Sequence, residues 1–134
     1  MADVSTHRTL AEQLLVAGRK AQKDKHWPIA VDAGFYAVFH LIEALNAADC
    51  RDSYNFADAD DLLQQLLLVS LGQGCLDDYR YLFYFRRGVL YGPHFPSEAQ
   101  VKSYFRLCED NYKHVLSVLE VRLSSQNVGD THGG

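Results

Sequence analysis

The sequence predicts an all-α fold, an up-and-down bundle of about five helices. Apolar residues recur at helical spacing along the chain, and no stretch alternates as a strand would. Short polar, glycine or proline breaks separate the periodic segments, as expected for antiparallel neighbours in a bundle. One seam near the C-terminus, Val101, Phe105, Cys108, Tyr112, Val115 and Leu119, advances by alternating steps of four and three. With 134 residues, 48% of them apolar, the chain can bury its own core as a single domain, residues 1–123.

The first helix is marked by Leu10, Leu14, Ala17 and Ala21 and is expected over about Thr9 to Lys23. The polar break "KDKHWP" follows, and Pro28 suits a first helical turn because its missing N–H has no partner to lose. The second helix should run from about Pro28 to Ala48, with Phe35, Val38, Phe39, Ile42 and Leu45 on a broad apolar face. After the acidic connection "DCRDSYNFADAD", Asp58 or Asp60 can cap a third helix, "DLLQQLLLVSL", which "GQG" would end. The fourth helix, about Leu76 to Leu90, is crowded with aromatics: Tyr79, Tyr81, Phe83, Tyr84 and Phe85. "YGPHFP" breaks it. Ser97 opens the fifth helix, with Gln100 three residues on as its capping-box partner. Residues 124–134 are polar and glycine-rich and are expected to be a disordered tail.

Three cysteines, Cys50, Cys75 and Cys108, are an odd number without a Cys-x-x-Cys, which favours reduced thiols over a disulfide framework. The N-terminus lacks a signal-peptide core, and no apolar run was expected to approach a membrane span, so the expected location is cytoplasmic, with no membrane partner. No metal and no cofactor is expected. His114 lies on the outer side of the last helix, and although a metal site built from His40, His94 and His114 is conceivable in a bundle, no Glu-x-x-His pair supports it. His40, among apolar residues, is read as a satisfied core imidazole.

The net charge of −4 is unevenly spread. From Asp49 to Asp78 there are seven acids and one base, whereas Arg80 to His114 holds six bases and three acids. Positive potential is therefore concentrated where an anionic ligand would sense it. Within that segment "FRRGVLYGPHF", Phe85 to Phe95, places two arginines, a tyrosine and a histidine together.

From Thr9 to Leu123 the chain resembles the HEPN domain family of small helical bundles. The resemblance rests on "AVDAGFYAVFHLIEALNA" in the second helix, on arginines followed by "YG" at the end of the fourth, and on Ser-Glu-Ala opening the fifth. Many members resemble metal-independent ribonucleases, often toxins paired with a small nucleotidyltransferase, and carry an arginine followed a few residues later by a histidine. Here six residues separate Arg87 from His94. A guanidinium can meet two phosphoryl oxygens as charge gathers on them, and an imidazole can move the proton near neutral pH. The resemblance thus implies Arg87 and His94 as the catalytic pair, doubled in the cleft of a homodimer. A second alignment places Arg86 with Tyr91-Gly92, so that the tyrosine stands where the histidine would. It favours a non-catalytic module that binds a nucleotide or single-stranded RNA through Arg80, Arg86, Tyr91, Lys102 and Arg106. Both alignments stand open on sequence alone.

Overall fold

In a computed structural model that describes residues 3–48, 71–93 and 95–133, with side chains to Ser125, helix formation begins earlier than the apolar spacing indicates. Asp3 is an N-cap whose carboxylate accepts the Thr6 N–H at 2.7 Å, so α1 spans Val4–Lys23. That bond holds the Asp3 carboxyl below its ordinary pKa.

The buried face of α1 is Ala11, Leu15, Gly18 and Ala21, one position off the expected stripe, and Leu10 and Ala17 are exposed. The reason is close approach. A Cβ on Gly18 would lie 2.7 Å from Phe105 Cε2 and 3.4 Å from Ala33 Cβ, so small residues form the contact and larger ones flank it. α1 ends in a Schellman-type closure, with His26 N–H donating to Ala21 O at 2.8 Å and Lys25 N–H to Gln22 O at 3.1 Å. The left-handed closing position, usually glycine, is Lys25 at φ 61°.

α2, Trp27–Ala48, is buried on most sides, including Val31, Phe35, Val38, Leu41, Ile42 and Leu45. Contrary to the expectation for apolar runs, α2 is by length and composition apolar enough to cross a membrane, with a mean hydropathy of 1.4 over its best window. Packing accounts for this composition, since α2 is the central helix and is surrounded by the others. The expected third helix, with its Asp58 or Asp60 cap, and Cys50 lie outside the described residues.

α3 spans Gln73–Tyr91 and starts directly after Gly72, whose φ of 92° only glycine adopts readily. "GQG" therefore leads into this helix, and Gln73 and Gly74 belong to it. α4 spans Glu98–Gly133, so its backbone continues through the polar residues for which disorder was expected. Its start is the expected capping box: Gln100 N–H donates to Ser97 Oγ at 3.1 Å, and Ser97 N–H donates to Gln100 Oε1 at 2.8 Å. All six residues of the expected α4 seam are buried, joined by Tyr104, whose hydroxyl donates to Val31 O at 3.0 Å. Among the described residues the fold is a bundle of four helices without strands.

Candidate functional site

The first half of α2 carries one acid, Asp32, in an otherwise apolar stretch, and it is placed where α3 brings a cation. Arg86 Nε donates to Asp32 Oδ1 at 2.8 Å, and its Nη2 donates to the Tyr36 hydroxyl at 3.3 Å. Aromatic rings enclose the same guanidinium: its carbon lies 4.7 Å from the Tyr36 centroid, 5.5 Å from Phe35 and 5.9 Å from Tyr91. The Arg86 side chain is only 11% exposed. Burial disfavours its charge, but the Asp32 hydrogen bond and neighbouring oxygens outweigh that, so its pKa is raised. This arginine is committed to holding α3 against α2.

Arg87 follows in sequence and faces the other way, exposed and without an ion pair among the described residues. His94 lies outside the described residues, so the Arg87–His94 pair has no described geometry. Tyr91 is 76% exposed with one ring face toward Arg86, and Arg80 is exposed on the outer side of α3.

Lys102 and Arg106 stand elsewhere. They line an open groove between α4 and the end of α1, together with Gln22, Phe105, Lys113 and the acids Glu109 and Asp110. Lys102 and Gln22 also border a second depression with Arg19, Lys23 and Glu98, so the two depressions adjoin. Lys102 pairs with Glu98 at 3.4 Å, and Arg19 with Glu109 at 3.0 Å. Lys23, Arg106 and Lys113 have no ion pair among the described residues. α3 meets α4 along a different edge, where Cys75 Sγ donates to Asn111 Oδ1 at 3.2 Å. The five expected ligand residues are thus distributed over three places: Arg86 inside, Arg80 and Tyr91 on outer α3, Lys102 and Arg106 in the α1–α4 groove.

The histidines separate as well. His40 meets His7 of α1, Nδ1 to Nδ1 at 3.1 Å, with ring centroids 5.4 Å apart and planes within 28°. The facing nitrogens lie between the rings, as in an N–H···N bond that holds one proton. Burial lowers both imidazole pKa values. His114 lies 3.4 Å from Leu71 O beside α3. Among the described residues no three histidine, cysteine or acidic side chains form a metal-binding group. Burial raises the Cys75 thiol to about 11 and Cys108 to about 12, which leaves neither a nucleophile near neutral pH.

Asp32 and Tyr36 were not among the expected site residues. The signal for Asp32 was available: a lone acid in "IAVDAGFYAVF" must find a cation if it is to stand beside a core. No protein-family model matches the chain, and no curated protein matches it.

Proposed function

We propose that this chain is a HEPN-like binding module for a phosphate-bearing ligand, a nucleotide or single-stranded RNA, and not a nuclease. One observation carries the reading. Lys23, Arg106 and Lys113 line two adjoining depressions with Lys102 and Gln22 and, although Glu98, Glu109 and Asp110 line them too, have no ion pair among the described residues. Cations without carboxylate partners along an open groove suit a polyanion that displaces condensed counterions. Arg86, bonded to Asp32 and Tyr36, is not one of the ligand-contacting residues in this reading.

The test is fluorescence anisotropy of a labelled single-stranded RNA and of a labelled nucleotide across a salt series. Arg106→Ala and Lys113→Ala should each weaken RNA binding and lower the slope of log affinity against log salt by about 0.7. No binding at low salt by the wild-type protein would end this reading.

Arg87, exposed and without an ion pair among the described residues, favours a second reading, a metal-independent ribonuclease using Arg87 and His94. In that case Arg87→Ala and His94→Ala each reduce RNA cleavage by about a hundredfold or more with the fold intact. A homodimer belongs to either reading, since exposed Tyr81 and Phe95 offer apolar surface to a second copy. Sedimentation at micromolar concentration reads it directly.

A further inference from the structure

The outer face of α3 carries a pattern that the groove does not. Positions 80, 84, 87 and 91 follow steps of four, three and four, which in a helix align as one stripe rising about 5 Å per step. They are Arg80, Tyr84, Arg87 and Tyr91, cation and phenol alternating, and all four are exposed. Tyr84 is 65% exposed and Tyr91 76%, far more than core packing would leave.

Both rings are backed from inside. Tyr84 rests edge-on against Phe83, centroids 5.4 Å apart at 90°. Tyr91 has the Arg86 guanidinium 5.9 Å from its centroid, and that guanidinium is fixed by Asp32 at 2.8 Å. Each phenol has one neighbour within the fold and leaves most of its surface open to a flat partner. No acid lies between Arg80 and Tyr91; Asp77 and Asp78 precede the stripe, and Asp77 accepts a hydrogen bond from Gln73 at 2.9 Å.

We propose that the Arg80–Tyr84–Arg87–Tyr91 stripe of α3 is a stacking track for single-stranded RNA, on which bases lie against the two tyrosines and phosphates meet the two arginines. Alternating charge and aromatic surface matches the alternation of phosphate and base along an unpaired strand. A duplex, whose bases are already stacked, has nothing to offer the phenols. A free phosphate has no base, and an acidic peptide has no repeating flat group. Arg86 acts here as a positioning residue: held by Asp32, it supports the Tyr91 ring without needing to touch RNA. The inference deepens the binding reading above and rests on it, but it uses a surface separate from the Lys102–Arg106 groove, so the two can fail separately.

The experiment compares a fluorescein-labelled oligouridylate of about a dozen nucleotides with an abasic ribose-phosphate strand of equal length and charge. Wild-type protein should bind the oligouridylate about tenfold or more tightly than the abasic strand. Tyr84→Ala and Tyr91→Ala should each weaken oligouridylate binding by about tenfold and leave abasic binding unchanged, while Tyr84→Phe keeps the wild-type affinity. Arg80→Gln and Arg87→Gln should weaken both strands alike and lower the salt slope. Circular dichroism and thermal melting confirm that each variant is folded. Equal affinity for the two strands, or undiminished binding by both tyrosine variants, overturns the inference; if Arg106→Ala still weakens binding, the groove reading survives. Binding of duplex RNA as tight as of the single strand overturns it too. So does dissociation of a dimer by Tyr84→Ala with RNA affinity unchanged, which would assign the stripe to a second copy. Absence of any RNA binding overturns the inference and the binding reading together.

Discussion

The two flanks of α2 are packed by opposite means. Toward α1 the contact is made by small residues, Gly18 against Ala33, with the Phe105 ring of α4 filling the junction 3.1 Å from where a Gly34 Cβ would stand. Toward α3 the contact is made by rings: Phe35 meets Tyr79 at 5.7 Å and Phe83 at 6.0 Å, while Phe85 stacks on Tyr104 at 4.6 Å. The small-residue flank leaves no room for a side chain to be added. The aromatic flank can hold a guanidinium, because ring faces and a hydroxyl stand in for part of its lost water. That is why Arg86 can be held between α2 and α3. The small-residue flank excludes further side chains, and the aromatic flank accommodates a nearly buried charge.

Breaking the small-residue flank should have the largest effect. Phe105→Ala empties the fully buried junction shared by α1, α2 and α4, with an expected loss of about 3–5 kcal/mol in urea unfolding. Gly18→Ala overfills the same place and should cost about 1–3 kcal/mol, part of it recovered when Phe105 is shortened to leucine. A Gly18→Ala protein as stable as wild type would show that the helices separate easily and that the contrast between the flanks is false.

The same contrast explains what could be read in advance. The α4 seam was legible because every one of its residues is apolar and buried, and the capping box because Ser97 and Gln100 form a local pair. The register of α1 was not, because Gly18 and Ala11 carry little hydrophobicity and their role is to be small. The partnership of Arg86 was hidden for another reason: Asp32 is 54 residues away, and only the fold brings them together. Arg86 and Arg87 look alike in sequence, and helical rotation alone sends one inward and the other out.

On the aromatic flank, Asp32→Ala leaves Arg86 poorly hydrated and without its carboxylate. Asp32 is 44% exposed, so water can enter, and the expected loss is about 1–2 kcal/mol, below that of a fully buried pair. Arg86→Met, which removes the charge and keeps the bulk, should cost less than Asp32→Ala. The reverse order in denaturant unfolding would show that the cation–ring contacts, and not the ion pair, hold α3 in place. A smaller change of opposite sign belongs to the turn between α1 and α2, where Lys25 at φ 61° occupies a position suited to glycine. Lys25→Gly should stabilise the protein by up to about 1 kcal/mol, and a lower melting temperature would contradict that.

The smallest expected effect sharpens the comparison at the open end of the α1–α2 contact, where small residues give way to the His7–His40 pair. The in-line bond between the two Nδ1 atoms, 3.1 Å long, holds one proton, and a second would set two N–H groups against each other. Burial lowers both pKa values, His40 further through His7, while the Asp3 carboxylate acts upward on His7; the flanking groups on α2 are Tyr36 and Phe39. Because the folded-state values lie below the unfolded value of about 6.5, the unfolded chain takes up protons first as pH falls. The pair's contribution is therefore fully present above about pH 6.5, declines below it, and levels off once pH has passed the folded-state values. Both rings are only partly buried, so the decline should be shallow. Melting temperatures of wild type and His40→Gln, measured from about pH 7.5 down to about pH 5, should converge toward the acid end, since the variant has lost the pair and with it this part of the slope. Parallel profiles, or a wild type that gains on the variant as pH falls, would mean that the two rings share a proton comfortably and that acid does not open this end of the bundle.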